Sequence, residues 1–136
     1  MIQRIQTIWL LLASACAFIS LKLPFYVGTN NAGVASHELN GTANYGLMLL
    51  TIAIGVLALI NIFLFKNRKL QIRLCVLGIM LDPGLIFLYY REVSTYTAGT
   101  YALTALLQGL LIFFFFFALR GISKDAKIIR DSNRLR

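Results

Sequence analysis

Four long apolar stretches divide the chain, and charge is almost absent from them. No charged residue occurs between Ile8 and Leu21, between Gly46 and Phe65, or between Gly99 and Leu119, and Leu74 to Tyr90 carries a single charge, Asp82. Crossing a hydrocarbon core about 30 Å thick takes roughly 20 apolar residues in a helix, so stretches of this length read as membrane spans. The expected fold is all-α: a four-helix transmembrane bundle in one domain, 1–136, with spans near 5–23, 44–65, 73–90 and 99–119. With 59% of its 136 residues hydrophobic and a mean hydropathy of +0.77, the chain is more apolar than a soluble domain of ordinary usage.

Basic residues set the orientation. Arg4 precedes the first stretch; Lys66, Arg68, Lys69 and Arg73 fill the second gap; Arg120, Lys124, Lys127, Arg130, Arg134 and Arg136 follow the last. Eleven of the 13 Lys and Arg residues thus fall on one side, against Lys22 and Arg91 on the other. Because Lys and Arg concentrate in cytoplasmic loops, both termini are expected inside and the 24–43 loop outside. The net charge of +8 then matches anionic lipid headgroups and not nucleic acid. Contact with such lipid, or with a protein partner, is expected from Lys66, Arg68, Lys69 and Arg73 in the loop and from Lys124, Lys127, Arg130 and Arg134 in the tail. The tail, 120–136, should continue span four as an amphipathic basic helix, since Ile122, Ala126 and Ile129 recur at i, i+4 and i+7 among its cations. It would lie on the inner leaflet, project to a partner, or serve only to fix topology.

A cleaved leader is the competing reading of the first residues, because Ala13-Ser14-Ala15-Cys16 approximates a lipoprotein cleavage box. The apolar run continues past Cys16 to Leu23, whereas a signal core of about 7–15 residues gives way to polar sequence. An uncut span is expected.

Residue patterns for enzyme chemistry are missing. The one histidine, His37, has only Glu38 beside it, no His/Cys/Asp/Glu set has metal-ligand spacing, and no nucleophile triad, phosphate loop or dinucleotide motif occurs. Neither an enzymatic activity nor a cofactor is expected. Cys16 and Cys75 lie at depths too different for a disulfide and read as small packing residues.

Asp82 stands out among the polar residues. At the centre of a span an ionised carboxylate costs about 3 kcal/mol on insertion scales. Pro83 follows it and lacks an N–H, so a kink is expected near Gly78 and Ile79, with Gly84 loosening the helix further. Three readings stay open: a proton- or cation-handling carboxylate, a protonated or hydrogen-bonded group holding helices together, or a residue reaching the outer interface through a shifted span. Gln108, at matching depth in span four, is the expected partner, with Tyr101 and Thr104 on the same face. Beside them Ala98, Ala102, Ala105 and Gly109 form a small-residue stripe expected to pack span four against a neighbour. Ala13, Ala17 and Ser20 offer the same device on span one, and Asn61 should bond a neighbouring helix or interfacial water. Tyr45, Tyr89, Tyr90, Tyr96 and Tyr101 read as anchors at the outer boundary. The 24–43 loop reads as turns with room for a short hairpin or helix.

The opening Met1-Ile2-Gln3-Arg4-Ile5-Gln6-Thr7-Ile8-Trp9-Leu10-Leu11-Leu12-Ala13 and the closing Arg130-Asp131-Ser132-Asn133-Arg134-Leu135-Arg136 carry a family resemblance. Together with four spans between them, they resemble the small inner-membrane family of Bacteroidota catalogued as domain of unknown function 4293. The resemblance covers the whole chain and implies a multi-pass protein of a bacterial inner (cytoplasmic) membrane. It implies no activity, substrate or catalytic residue, and Asp82-Pro83 lies outside the residues that carry it. The expected function is that of a small non-enzymatic accessory or structural subunit docking on a larger inner-membrane assembly. The alternative is a small oligomeric transporter or channel using Asp82 and Gln108.

The charge asymmetry makes a direct prediction. A reporter fused after Arg136 should behave as cytoplasmic and one inserted at Asn31 as external; an external C-terminal reporter would overturn the orientation.

Overall fold

The computed structural model describes residues 2–33 and 35–135. Met1, Val34 and Arg136 lie outside the described residues, as do the side chains of Ile2, Gln3, Arg4, Asn30 and Thr104, and with them the roles expected of Arg4, Thr104 and Arg136. Helices α1 (Ile2–Ser20), α2 (Tyr45–Phe63), α3 (Arg68–Val93) and α4 (Leu106–Arg134) form, the last entered through a 3₁₀ turn at Leu103–Ala105. Three of them, α2, α3 and α4, are long and apolar enough to cross a membrane; the apolar helix within α1, Ile5–Ser20, is shorter. Strands β1 (Tyr26–Asn30) and β2 (His37–Leu39) lie between α1 and α2, and β3 (Tyr96–Tyr101) lies between α3 and α4.

Both α1 and α3 pack against α2 and α4, so the four helices close around one core. Small residues set their spacing. Ala13 and Ala17 of α1 are fully buried, and the Ser20 hydroxyl donates to the Ala17 carbonyl at 2.7 Å, satisfying its polar atom inside the helix. Asn61 ties α2 to α3: its Nδ2 donates to the Cys75 Sγ at 2.9 Å, and its carbonyl accepts from Gln71 Nε2 at 3.0 Å. A Cβ at Gly78 of α3 would stand 2.8 Å from the Phe115 ring, so this aromatic of α4 is seated on bare backbone. Pro83 sits on the outward face of an unbroken α3 and leaves the Ile79 carbonyl without its usual donor.

Span four, expected from residue 99, begins later. Residues 96–101 form a strand because Tyr-Thr-Ala-Gly-Thr-Tyr alternates residues that suit a pleated surface, and β1 offers an edge to pair with. The sheet order is β2-β1-β3, antiparallel throughout. At its centre Gly28 faces Gly99, and a Cβ on Gly99 would lie 2.5 Å from the Gly28 Cα; the strands close because both positions lack a side chain. The stripe of Ala98, Ala102, Ala105 and Gly109 is therefore not a helix-packing face. Ala98 is exposed in β3, Ala102 and Ala105 lie before α4, and a Cβ at Gly109 would meet nothing within 4 Å. The buried face of α4 is instead Gln108, Leu111, Phe115, Ala118, Ile122 and Asp125.

Aromatic rings cap the core beneath the sheet. Phe25 stacks on buried Tyr89 with centroids 4.3 Å apart and meets Tyr101 edge-on, while Tyr26 packs edge-on against both Tyr96 and Tyr101. Tyr89 is thus a core residue and not a boundary anchor, whereas Tyr45 and Tyr90 project outward. At the opposite, basic end, α4 runs past residue 119 to Arg134 without a break, and the extension is packed. Ile122 is fully buried, Gly121 lies against Gln6 of α1, and Asp125 pairs with Arg68.

The Gly78–Phe115 seat can be tested. Gly78→Val should destabilise the helical core by about 2 kcal/mol, because methyls forced into a filled site displace the ring. Thermal melting in detergent checks this; an unchanged melting temperature would show that Phe115 does not occupy that seat.

Candidate functional site

The turn from α2 to α3 is tight, with Leu64 N–H donating to the Ile60 carbonyl and Asn67 N–H to the Leu64 carbonyl. It delivers Lys66, Arg68 and Lys69 to the start of α3, opposite Lys127 and Arg130 on the α4 extension. These five cations line one groove of about 850 Å³, and no carboxylate is among its lining residues. Ile72, Ala126 and Ile129 give it an apolar floor, and Asn67, Ser123 and Asn133 add hydrogen-bonding edges. Asn67, the N-cap of the 26-residue α3, makes no side-chain cap hydrogen bond, which leaves the positive end of that helix facing the groove without a capping side chain.

Arg68 has a second role. Half-buried, it forms an ion pair with Asp125 that fastens α3 to α4. It also reaches a cleft of about 490 Å³ whose other walls include Ile8, Ile62, Phe63 and Phe65. Of the eight cations expected to touch lipid or partner, five therefore converge, while Arg73, Lys124 and Arg134 are exposed elsewhere. Sequence reasoning missed Asp125 because it counted cations alone. The available signal was its position three residues after Ile122, beside the apolar stripe of the tail.

The second polar site is inside the core. Asp82 is wholly buried, and among the described residues neither of its carboxyl oxygens has a hydrogen-bond partner; Gln108 Oε1 is likewise buried and unpartnered. The expected bond from Gln108 to Asp82 does not form, and helix register explains why. With Gly78 opposite Phe115 and Arg68 opposite Asp125, α3 and α4 run antiparallel so that Asp82 comes level with Leu111, and Gln108 with Leu85. The two polar groups share a core but sit nearly a helical turn apart along it. Phe115 packs on Gly78 one turn from Asp82 toward the basic end, and the Phe25–Tyr89 stack lies two turns away toward the sheet.

At the sheet end, His37 Nδ1 and the Tyr96 hydroxyl are 2.8 Å apart, and Asn44 Nδ2 donates to Glu92 Oε1 at 2.7 Å, which ties the start of α2 to the end of α3. Partial burial, with Glu92 and Tyr26 nearby, pushes the Tyr96 phenol up, so it remains protonated at neutral pH. Among the described residues no group of three or more His, Cys, Asp and Glu is placed to hold a metal ion.

Comparison with curated proteins and with solved structures gives no match. A family model does match, over residues 2–135, a range that takes in the four helices, the sheet and the groove. The chain belongs to the family described as Domain of unknown function (DUF4293).

Proposed function

We propose that all four helices cross the inner membrane of a bacterium, with the basic groove and both termini in the cytoplasm and the sheet outside. In this reading the protein is a non-enzymatic accessory subunit that docks on a larger membrane assembly. Charge supports the orientation: the groove gathers cations at one end, while at the sheet end Lys22 and Arg91 are balanced by Glu38 and Glu92. Length supports α1 as a fourth span, since its 19 residues rise about 28 Å. The outward faces are apolar, with Leu49, Met80, Phe87, Leu106 and Phe113 all more than half exposed.

The closed core carries the accessory reading. Phe115 seated on Gly78 and Phe25 stacked on Tyr89 pack aromatic rings into the interior on both sides of Asp82, which supports a scaffold whose working surface is its outside. Purification of the tagged protein from native membranes in mild detergent should yield a stoichiometric assembly with a larger integral membrane protein, stable through size exclusion. Recovery of the chain alone, as monomer or homo-oligomer, would defeat the docking role.

One observation favours transport as a second reading: an unpartnered buried carboxyl is costly, and among the described residues Asp82 gains no hydrogen bond that offsets it. The two readings separate at Asp82→Asn, which keeps the side chain's shape but cannot titrate. For a scaffold, growth and thermal melting of this variant should match wild type. Loss of function with unchanged melting would replace the accessory reading by a proton- or cation-coupled one.

A further inference from the structure

Orientation in a membrane needs basic residues on one side; it does not need them gathered into a groove. Lys66 in the α2–α3 turn and Lys69 on α3 nevertheless line the same groove as Lys127 and Arg130 on α4, with no carboxylate among the lining residues. Arg68 is already balanced by Asp125, so the excess positive charge belongs to the other four. Like charges lining one groove repel, an anion between them offsets that repulsion, and the side-chain-uncapped start of α3 adds further positive potential to the same space.

We infer that the groove is a binding site for the phosphate headgroup of an anionic phospholipid, held between the start of α3 and the α4 extension. The inference rests on the reading that the helices cross a bilayer. Depth favours a lipid as the source of the phosphate. At 1.5 Å per residue, Ser123 stands about 26 Å along α4 from Leu106 and Asn133 about 40 Å, so the groove begins where a hydrocarbon layer about 30 Å thick gives way to headgroups. Its walls suit the whole ligand. Cations surround the phosphate, Asn67, Ser123 and Asn133 offer hydrogen bonds to glycerol and ester oxygens, and Ile72, Ala126 and Ile129 accept the upper acyl carbons. A volume of about 850 Å³ is ample for one headgroup.

The test is native mass spectrometry of the detergent-purified protein offered phosphatidylglycerol and phosphatidylcholine in equal amounts. Wild type should retain phosphatidylglycerol and discriminate against phosphatidylcholine. The double variant Lys69→Gln with Lys127→Gln should lose phosphatidylglycerol occupancy by about thirtyfold, as expected for two removed surface cations. Arg73→Gln with Lys124→Gln removes the same charge from exposed sites outside the groove and should stay within about twofold of wild type. Lys69→Arg with Lys127→Arg should keep the lipid, which separates loss of charge from loss of fold. Equal losses in both Gln pairs would overturn the site in favour of diffuse attraction. Equal retention of the two lipids would overturn it as well, and so would displacement of the lipid by millimolar inorganic phosphate or by an oligonucleotide. The assay in detergent is indifferent to which way the chain faces, so a reversed orientation, read by terminal reporters, leaves this result standing.

Discussion

Phe115 resting on Gly78 decides how far α3 and α4 slide past each other, and much of the molecule follows from that one contact. Helices can shift in steps of about 5.4 Å per turn, and a ring locked into a glycine seat selects one of them. In the selected register Arg68 reaches Asp125, which draws the α4 extension onto the start of α3 and creates the groove between them. The same register leaves Asp82 level with Leu111 and out of reach of Gln108. Had the helices been displaced by a turn, the polar pair could have met and the basic residues would have been scattered.

The two ends of the helical core solve different problems. At the sheet end the chain must leave helical geometry, and its backbone groups are paired strand to strand over Tyr26–Asn30, His37–Leu39 and Tyr96–Tyr101. Hydrocarbon tolerates no such exposed backbone, and the aromatic layer of Phe25, Tyr89 and Tyr101 separates the sheet from the helical interior. At the basic end α4 simply continues as helix, with its backbone bonds intact and its buried face carried on through Ala118, Ile122 and Asp125.

The helices were legible wherever period and charge agreed. The small-residue face of α1 and the gathering of cations at one end follow from spacing alone. Reading failed where a neutral segment was taken for more helix. Residues 99–105 carry no charge, but Gly99 is needed because Gly28 approaches it across seventy positions of sequence, a demand visible only in the folded chain. Asp82 and Gln108 both lie near the centres of their stretches, but depth along a span locates a residue only to about a turn, and their bond fails over less than that. Tyr89 reads as an interface residue by depth, but its spacing of four and seven residues from Leu85 and Asp82 puts it on the buried face of α3, where Phe25 stacks on it.

The pairing of β1 with β3 also orders assembly in time. The two strands belong to different helical pairs, β1 leaving α1 and β3 leaving α3, and nothing local in the sequence brings them together. In the proposed four-span arrangement helices insert before they dock, so Gly28 could not meet Gly99 until both connecting loops had crossed the bilayer. Non-local strand pairing is slow because its loop must close before any contact rewards it. The sheet is thus a latch that shuts only on a fully delivered chain. Until it shuts, the edge of β1 stands open to any other strand that arrives first.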